Sequence, residues 1–218
     1  MMKPSIAILG GTFDPIHNGH LAIAHTLQDH FHFDTVLFIP CKQSLLKSTP
    51  NATVQQRIDM IDLAIQPFKN FQLDLREIQR DTASYTIETL KSLREDYPKN
   101  PIAFSMGMDA FNQLDQWHDF EQFLDYAHLM IFPRPPYHFS PSEKLKKTIL
   151  KAKTDDIHCL LQEKQGYLYF SHIPENPLSS THLRTLLSKD LRCFPDSLLN
   201  THFPPAITDY IRKKHLYT

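Results

Sequence analysis

Short unbroken apolar runs alternate along the chain with segments of helical patterning. Ile6-Ala7-Ile8-Leu9 ends at Gly10-Gly11, and Val36-Leu37-Phe38-Ile39 ends at Pro40. Ile102–Met106, Leu129–Phe132 and Tyr167–Phe170 repeat the pattern. Runs of this length without alternation predict strands buried on both faces of a parallel sheet. Phe71-Gln72-Leu73-Asp74-Leu75 does alternate, which predicts an edge or half-buried strand. Between these runs the spacing predicts a helix over Leu21–Phe31 and another from Thr53 to Ile65, where Thr53-Val54-Gln55-Gln56 matches a capping box. Further helices are predicted over Ile87–Leu93, His182–Leu187 and Ala206–Lys214, with a short helical stretch at Phe120–Leu124. Residues 41–52 are polar and irregular. Strand and helix in alternation predict an α/β protein with a doubly wound parallel sheet. The expectation is one domain over residues 1–218, with approximately 176–218 forming a small C-terminal helical part. The Pro-rich stretch Phe132–Tyr137 reads as a rigid loop leaving a strand, with a linker as the alternative.

Composition narrows the function. The 218 residues include only 5 glycines, where average usage gives about 15, so each glycine is expected to have a specific backbone task. Collagen-like, linker and low-complexity classes are excluded. The chain is 41% hydrophobic, enough to bury a core, and its 23 basic and 24 acidic residues leave a net charge of −1. That balance argues against nucleic-acid binding, which needs clustered cations. The one dense run, Arg212-Lys213-Lys214, suits the end of a helix, where it complements the dipole. No apolar stretch approaches the ~20 residues of a membrane span, and no signal peptide is visible, so no membrane partner is expected. Cys41, Cys159 and Cys193 are odd in number and far apart, which reads as free thiols in a reducing cytoplasm. Monomer and homodimer fit equally.

In an open α/β sheet, ligands bind beyond the carboxyl ends of the strands. There the chain carries Gly10-Gly11-Thr12-Phe13-Asp14-Pro15-Ile16-His17-Asn18-Gly19-His20, between the first strand and the first helix. Two glycines let the backbone turn sharply and leave N–H groups open to a phosphate. His17 and His20, three apart at a helix start, can face the same way into a site that favours anions and donate hydrogen bonds to phosphate oxygens as charge develops. A plain tight turn leaves the paired histidines unexplained. Zinc binding lacks a third ligand at suggestive spacing, the nearest cysteine being Cys41. Neither a dinucleotide-binding glycine pattern nor a Walker loop is present.

This segment resembles the signature of the nucleotidyltransferase superfamily with an H-x-G-H motif. In its extended form it is most similar to the bacterial nicotinate-nucleotide adenylyltransferase family. Ser105-Met106-Gly107-Met108-Asp109 with Trp117 resembles the family's G-x-D…W segment, and Ser84-Tyr85-Thr86 followed by Thr89-Leu90 its S-Y-T-x-x-T-L. Asn176–Arg184 is similar to its I-S-S-T-x-I-R. The resemblance implies a Rossmann-like fold with His17, His20 and Arg184 as catalytic residues. Gly10, Gly11, Thr12, Phe13, Gly19, Ser179, Thr181 and Arg184 are implied to bind ATP. Ser84, Tyr85, Thr86, Gly107, Asp109, Trp117, His118, Lys47 and Arg134 are implied to bind the acceptor. Competing structural roles are a core position for Trp117, helix caps for Ser84, Thr86, Ser179 and Thr181, and a solvated loop charge for Arg134. Two departures stand out: Leu46 occupies the place of a usual histidine before Lys47, and His118 that of a usual Tyr or Lys after Trp117.

The implied reaction is transfer of AMP from ATP to nicotinate mononucleotide, giving deamido-NAD and pyrophosphate in NAD biosynthesis. Mg²⁺ enters with ATP, and no protein residue is assigned to a metal. The alternatives are nicotinamide mononucleotide or phosphopantetheine as acceptor, or a non-catalytic nucleotide-binding module.

Overall fold

The computed structural model describes residues 3–42, 50–174, 178–188 and 195–217. From the amino end the elements are β1 (Ile6–Gly11), α1 (Asn18–His25), β2 (Thr35–Pro40), α2 (Val54–Ile65), β3 (Phe71–Leu73), α3 (Arg76–Gln79), α4 (Thr86–Asp96) and β4 (Ile102–Gly107). They continue with α5 (Met108–Phe111), β5 (His128–Phe132), α6 (Glu143–Ala152), α7 (His158–Gln162), β6 (Leu168–Phe170), α8 (Ser180–Leu187), α9 (Asp196–His202) and α10 (Pro205–Lys213). The six strands form one sheet in the order β3-β2-β1-β4-β5-β6, and every pairing is parallel. The chain winds outward from β1 to one edge and then from β4 to the other, which is the doubly wound Rossmann-like topology. Alternating Phe71–Leu73 is an edge strand, as its pattern predicts.

The apolar runs are continuous because successive side chains enter two different cores. Ala7, Leu9, Val36, Phe38, Ala103 and Met130 join a cluster with residues of α1, α2, α8, α9 and α10. Ile6, Ile8, Leu37, Ile39, Phe104 and Ile131 point the other way, into a cluster with α4 and α6. The helices after residue 178 share the first cluster, with α10 packed on α2 and α9 on α1. That contact places them on the same face of the sheet as α1 and α2.

Several local differences have physical reasons. The first helix begins at Asn18 rather than Leu21 because an imidazole, His17, serves as its N-cap; past His25 it continues as a π-helical turn, Thr26–His30. The Thr53 capping box forms as predicted, with Gln56 N donating to Thr53 Oγ1 at 3.2 Å and Thr53 N to Gln56 Oε1 at 2.8 Å. The sequence reading omits α6, α7 and α9: α7 buries only Leu160, while α6 does carry apolar residues at helical spacing, Leu145 and Ala152 being buried and Ile149 packed against the second cluster. The Pro-rich stretch is a turn leaving β5, closed by Tyr137 N on Arg134 O at 2.9 Å. Among the described residues no helix is long and apolar enough to cross a membrane.

Candidate active site

The winding reverses between β1 and β4, so a crevice opens at the carboxyl ends of those strands. A cleft of about 440 Å³ lies there, between the β1 loop, the ends of β4 and β5, and the start of α8. Gly10, Gly11, Thr12, Phe13, His17, Gly19, His20, Gly107, Arg134, Thr181 and Arg184 all line it. A second cavity of about 620 Å³ runs on along α1 and shares Ile23, Ile173 and Pro174 with the cleft.

The histidine pair is built by the helix start. Gly19 N donates to His17 Nδ1 at 3.1 Å, and His17 N donates to His20 Nδ1 at 3.3 Å, a capping box made of two imidazoles. Their rings lie 3.8 Å apart between centroids. Gly19 is required for this arrangement: a Cβ there would sit 2.8 Å from His17 Nδ1 and 3.1 Å from Leu178 Cβ. His17 is 3% exposed. Burial, helped by the charges of Arg134 and His202, lowers its pKa to about 3, so the ring is neutral at neutral pH. With Nδ1 accepting from an amide, the proton sits on Nε2, which is buried and has no protein partner. A neutral donor without a partner at a phosphate-sized cleft is chemically poised for an anionic oxygen.

The loop before the histidines is pinned from below. Phe13 adopts φ +51° and buries its ring, so its contribution to the cleft is mainly backbone. Arg57 on α2, only 1% exposed, donates to the carbonyls of Thr12 (2.7 Å), Cys41 (2.8 Å) and Lys42 (3.0 Å). The buried Asp14 carboxylate accepts from Asn51 N at 2.8 Å and Ala52 N at 3.0 Å. Asn18 Nδ2 donates to the carbonyls of Asn200 and Thr201, each at 3.1 Å, tying α9 to the histidine turn. The predicted site omits Arg57 and Asn18, and a lone arginine in an amphipathic helix gives no signal of such a role.

At α8, Thr181 and Arg184 line the cleft as expected, and Ser179 does not. Ser179 Oγ accepts from His182 N at 3.3 Å, an ordinary N-cap. Ser180 lines the cleft instead and donates to Pro15 O at 3.0 Å. Arg184 Nη1 donates to the Asp14 carbonyl at 2.6 Å and Nη2 to Thr181 Oγ1 at 3.3 Å, holding the guanidinium at the cleft wall.

The other predicted group divides. Arg134 is no solvated loop charge: it lines the cleft and pairs with Asp109 at 3.0 Å. Gly107 makes room for that pair, since a Cβ there would meet Asp109 Oδ1 at 2.5 Å. Ser84, Tyr85, Thr86, Trp117 and His118 lie outside the 440 Å³ cleft, and the mutually tilted rings of Tyr85 and His118, 4.5 Å apart, join the two segments. Helix capping does not explain Ser84 or Thr86, because Tyr85 takes the N-cap position of α4 with no side-chain bond. Ser84 Oγ and Trp117 Nε1 are both buried without a hydrogen-bond partner. The Trp117 ring packs edge-on against Phe104 and Phe123, so it serves the core and still presents an unpaired donor. Lys47 and its neighbour Leu46 lie outside the described residues, as do Asn176 and Pro177. Among the described residues no group of three or more His, Cys, Asp or Glu is arranged to hold a metal.

Comparison with known proteins places this geometry. Residues 8–186 match the model of the family described as cytidylyltransferase-like. A protein of Legionella pneumophila (strain Paris) named probable nicotinate-nucleotide adenylyltransferase is 35% identical over 216 residues, covering 98% of this chain and 99% of its own. One of the same name from Aeromonas salmonicida is 37% identical over 217 residues, 100% of this chain and 99% of its own. The nicotinic acid mononucleotide adenylyltransferase of Plasmodium falciparum, solved in complex with NaAD, superposes with a TM-score of 0.72 at 22% identity over 99% of this chain and 98% of its own. That likeness bears on the fold.

Proposed function

The chain belongs to the cytidylyltransferase-like family, and from that premise we propose that it transfers AMP from ATP to nicotinate mononucleotide, giving deamido-NAD and pyrophosphate. The full-length relatives named nicotinate-nucleotide adenylyltransferase support the acceptor. The observation that carries the chemistry is the neutral His17, whose Nε2–H has no protein partner in the crevice at the switch point.

ATP lies over the β1 loop, its base against the apolar wall of Ile23, Ile173 and Pro174. The acceptor phosphate attacks the α-phosphorus in line; the new P–O bond forms as the bond to the β-phosphate oxygen breaks, and pyrophosphate leaves. No covalent enzyme intermediate is needed. The protein's work is positioning and charge stabilisation. His17 and His20 donate to the α-phosphate oxygens, while Arg184 and Thr181 hold the departing pyrophosphate. Because His17 donates as a neutral group, it stabilises charge without giving up a proton. Magnesium would enter with ATP as part of the substrate and would offset charge on the phosphates, with no residue of this chain assigned to hold it. Ser84, Thr86 and Trp117 meet the pyridine end: a helix start without a side-chain cap suits a carboxylate, and the Trp117 N–H and Ser84 hydroxyl supply donors.

A pyrophosphate-release assay with ATP and each of nicotinate mononucleotide, nicotinamide mononucleotide and phosphopantetheine tests the reading. Release is expected with nicotinate mononucleotide well above the amide, and none with phosphopantetheine. Preference for another acceptor reassigns the substrate, and no release with any of them reduces the protein to a nucleotide-binding module.

A further inference from the structure

The carboxyl-terminal segment reaches the β1 loop through one contact that the reaction itself does not require. After α10 the chain turns back, and the Tyr217 hydroxyl donates to Asp14 Oδ1 at 2.7 Å. The two residues are 203 positions apart. Tyr217 holds φ +65°, a conformation that a bulky residue seldom adopts. Its hydroxyl is kept protonated, because burial and then the Asp14 carboxylate push its pKa upward.

Asp14 stands directly beneath Arg184. Arg184 Nη1 is 3.8 Å from Asp14 Oδ2, while its hydrogen bond goes to the Asp14 carbonyl. On the adenylyl-transfer reading the guanidinium would lie between two anions, the Asp14 carboxylate on one side and the phosphates of a ligand in the cleft on the other. Three donors, the amides of Asn51 and Ala52 and the Tyr217 hydroxyl, occupy that carboxylate. We propose that Tyr217 is a positioning residue for adenylyl transfer: by donating to Asp14 it keeps Arg184 on the cleft side, available to the leaving pyrophosphate. Without the hydroxyl, Oδ1 keeps only the Ala52 amide. Arg57 also faces Asp14, but its guanidinium is held by three carbonyls, whereas Arg184, 3.8 Å from Oδ2, is the cation at the cleft wall drawn toward the carboxylate. Each step of the guanidinium toward Asp14 is a step away from the ligand. The proposal rests on the adenylyl-transfer reading above and deepens it.

The test compares Tyr217→Phe in the wild-type and Arg184→Ala backgrounds, with pyrophosphate and a non-hydrolysable ATP analogue as titration probes. In the wild-type background, affinity for both is expected to fall about tenfold, the worth of one charged hydrogen bond. The acceptor KM is expected to stay within about twofold. With Arg184→Ala already in place, Tyr217→Phe is expected to add less than about twofold, because the effect passes through Arg184. Placing 4-aminophenylalanine at position 217 restores a donor and is expected to restore affinity. If Tyr217→Phe folds poorly, 4-fluorophenylalanine keeps the volume without the donor and is expected to give the same tenfold loss. Unchanged affinity, or an equal loss in both backgrounds, overturns the proposal. These titrations need no acceptor, so a chain that binds ATP yet adenylylates no pyridine mononucleotide overturns the acceptor assignment and leaves this result standing.

Discussion

The two halves of the crevice are finished to different degrees. On the β1 side nearly every group that shapes the loop has a protein partner: Arg57 holds three carbonyls, Asp14 three donors, Asn18 two carbonyls, and Ser180 and Arg184 one carbonyl each. The exceptions among the described residues there are Arg57 Nε, His202 Nδ1 and His17 Nε2, and of these His17 belongs to the histidine turn that lines the cleft. On the side of α4 and Trp117, two polar atoms on neighbouring segments are buried without partners, and no side chain caps the helix start. Groups already satisfied resist movement, and a site built from them is preorganised for charge stabilisation. Groups left unsatisfied cost free energy until a ligand pairs with them. On the proposed function, the side that takes ATP is the more nearly complete before substrate arrives, and the acceptor side is left for substrate to complete.

The largest effect that sharpens this contrast lies at the histidine turn. His17→Ala or His20→Ala is expected to lower kcat by about 10²–10³, the usual loss for one donor to a transition-state oxyanion. Unchanged turnover in both variants removes the preorganised donor from the argument.

Acid titration reads the same burial through stability. His17 and His128 are both held neutral, with pKa values near 3 and 4; burial is the main cause in each, and the backbone contact of His128 with Glu163 O opposes it. Above the ordinary histidine value of about 6.5, neither group is protonated in the folded or unfolded chain. Below it, the unfolded chain takes up protons that the folded chain refuses, so stability falls as pH falls toward 4. The expected slope is about 1.4 kcal/mol per pH unit for each histidine, measured by denaturant unfolding between pH 6.5 and 4. The kcat profile is expected to show no inflection from His17 between pH 5 and 9. An inflection there means that the donor is imidazolium and that the site is wetter than its burial indicates.

The smallest effect tests the unfinished side. Ser84→Ala removes a hydroxyl with no protein partner, so unfolding stability is expected to change by less than about 0.5 kcal/mol. The KM for nicotinate mononucleotide is expected to rise a few-fold, with the KM for ATP unchanged. A clear loss of stability with no change in acceptor KM breaks the comparison, because Ser84 is then a structural residue.

Much of this molecule is legible in its sequence. The apolar runs locate the strands, because a parallel sheet covered on both faces needs them unbroken. The glycine and histidine turn after β1 is legible because its parts are contiguous, and the arginine one turn into α8 because its segment is. Ser179 and Ser180 show the limit: adjacent hydroxyls at a helix start are indistinguishable until the helix's position turns one to the amide of His182 and the other to Pro15. The five-residue α7 is faint for a related reason, since it buries only Leu160 and leaves no period.

The order of strands and helices and the place of the glycine and histidine turn follow from local pattern, which depends on neighbours along the chain. The support under that turn does not. Arg57 meets Thr12 across 45 residues, Arg184 meets Asp14 across 170, and Tyr217 meets Asp14 across 203. The neutral state of His17 comes from burial and from Arg134 and His202, none of which its own segment reveals. Packing alone decides which polar groups lose water and which find partners, and that decision makes a motif into a site.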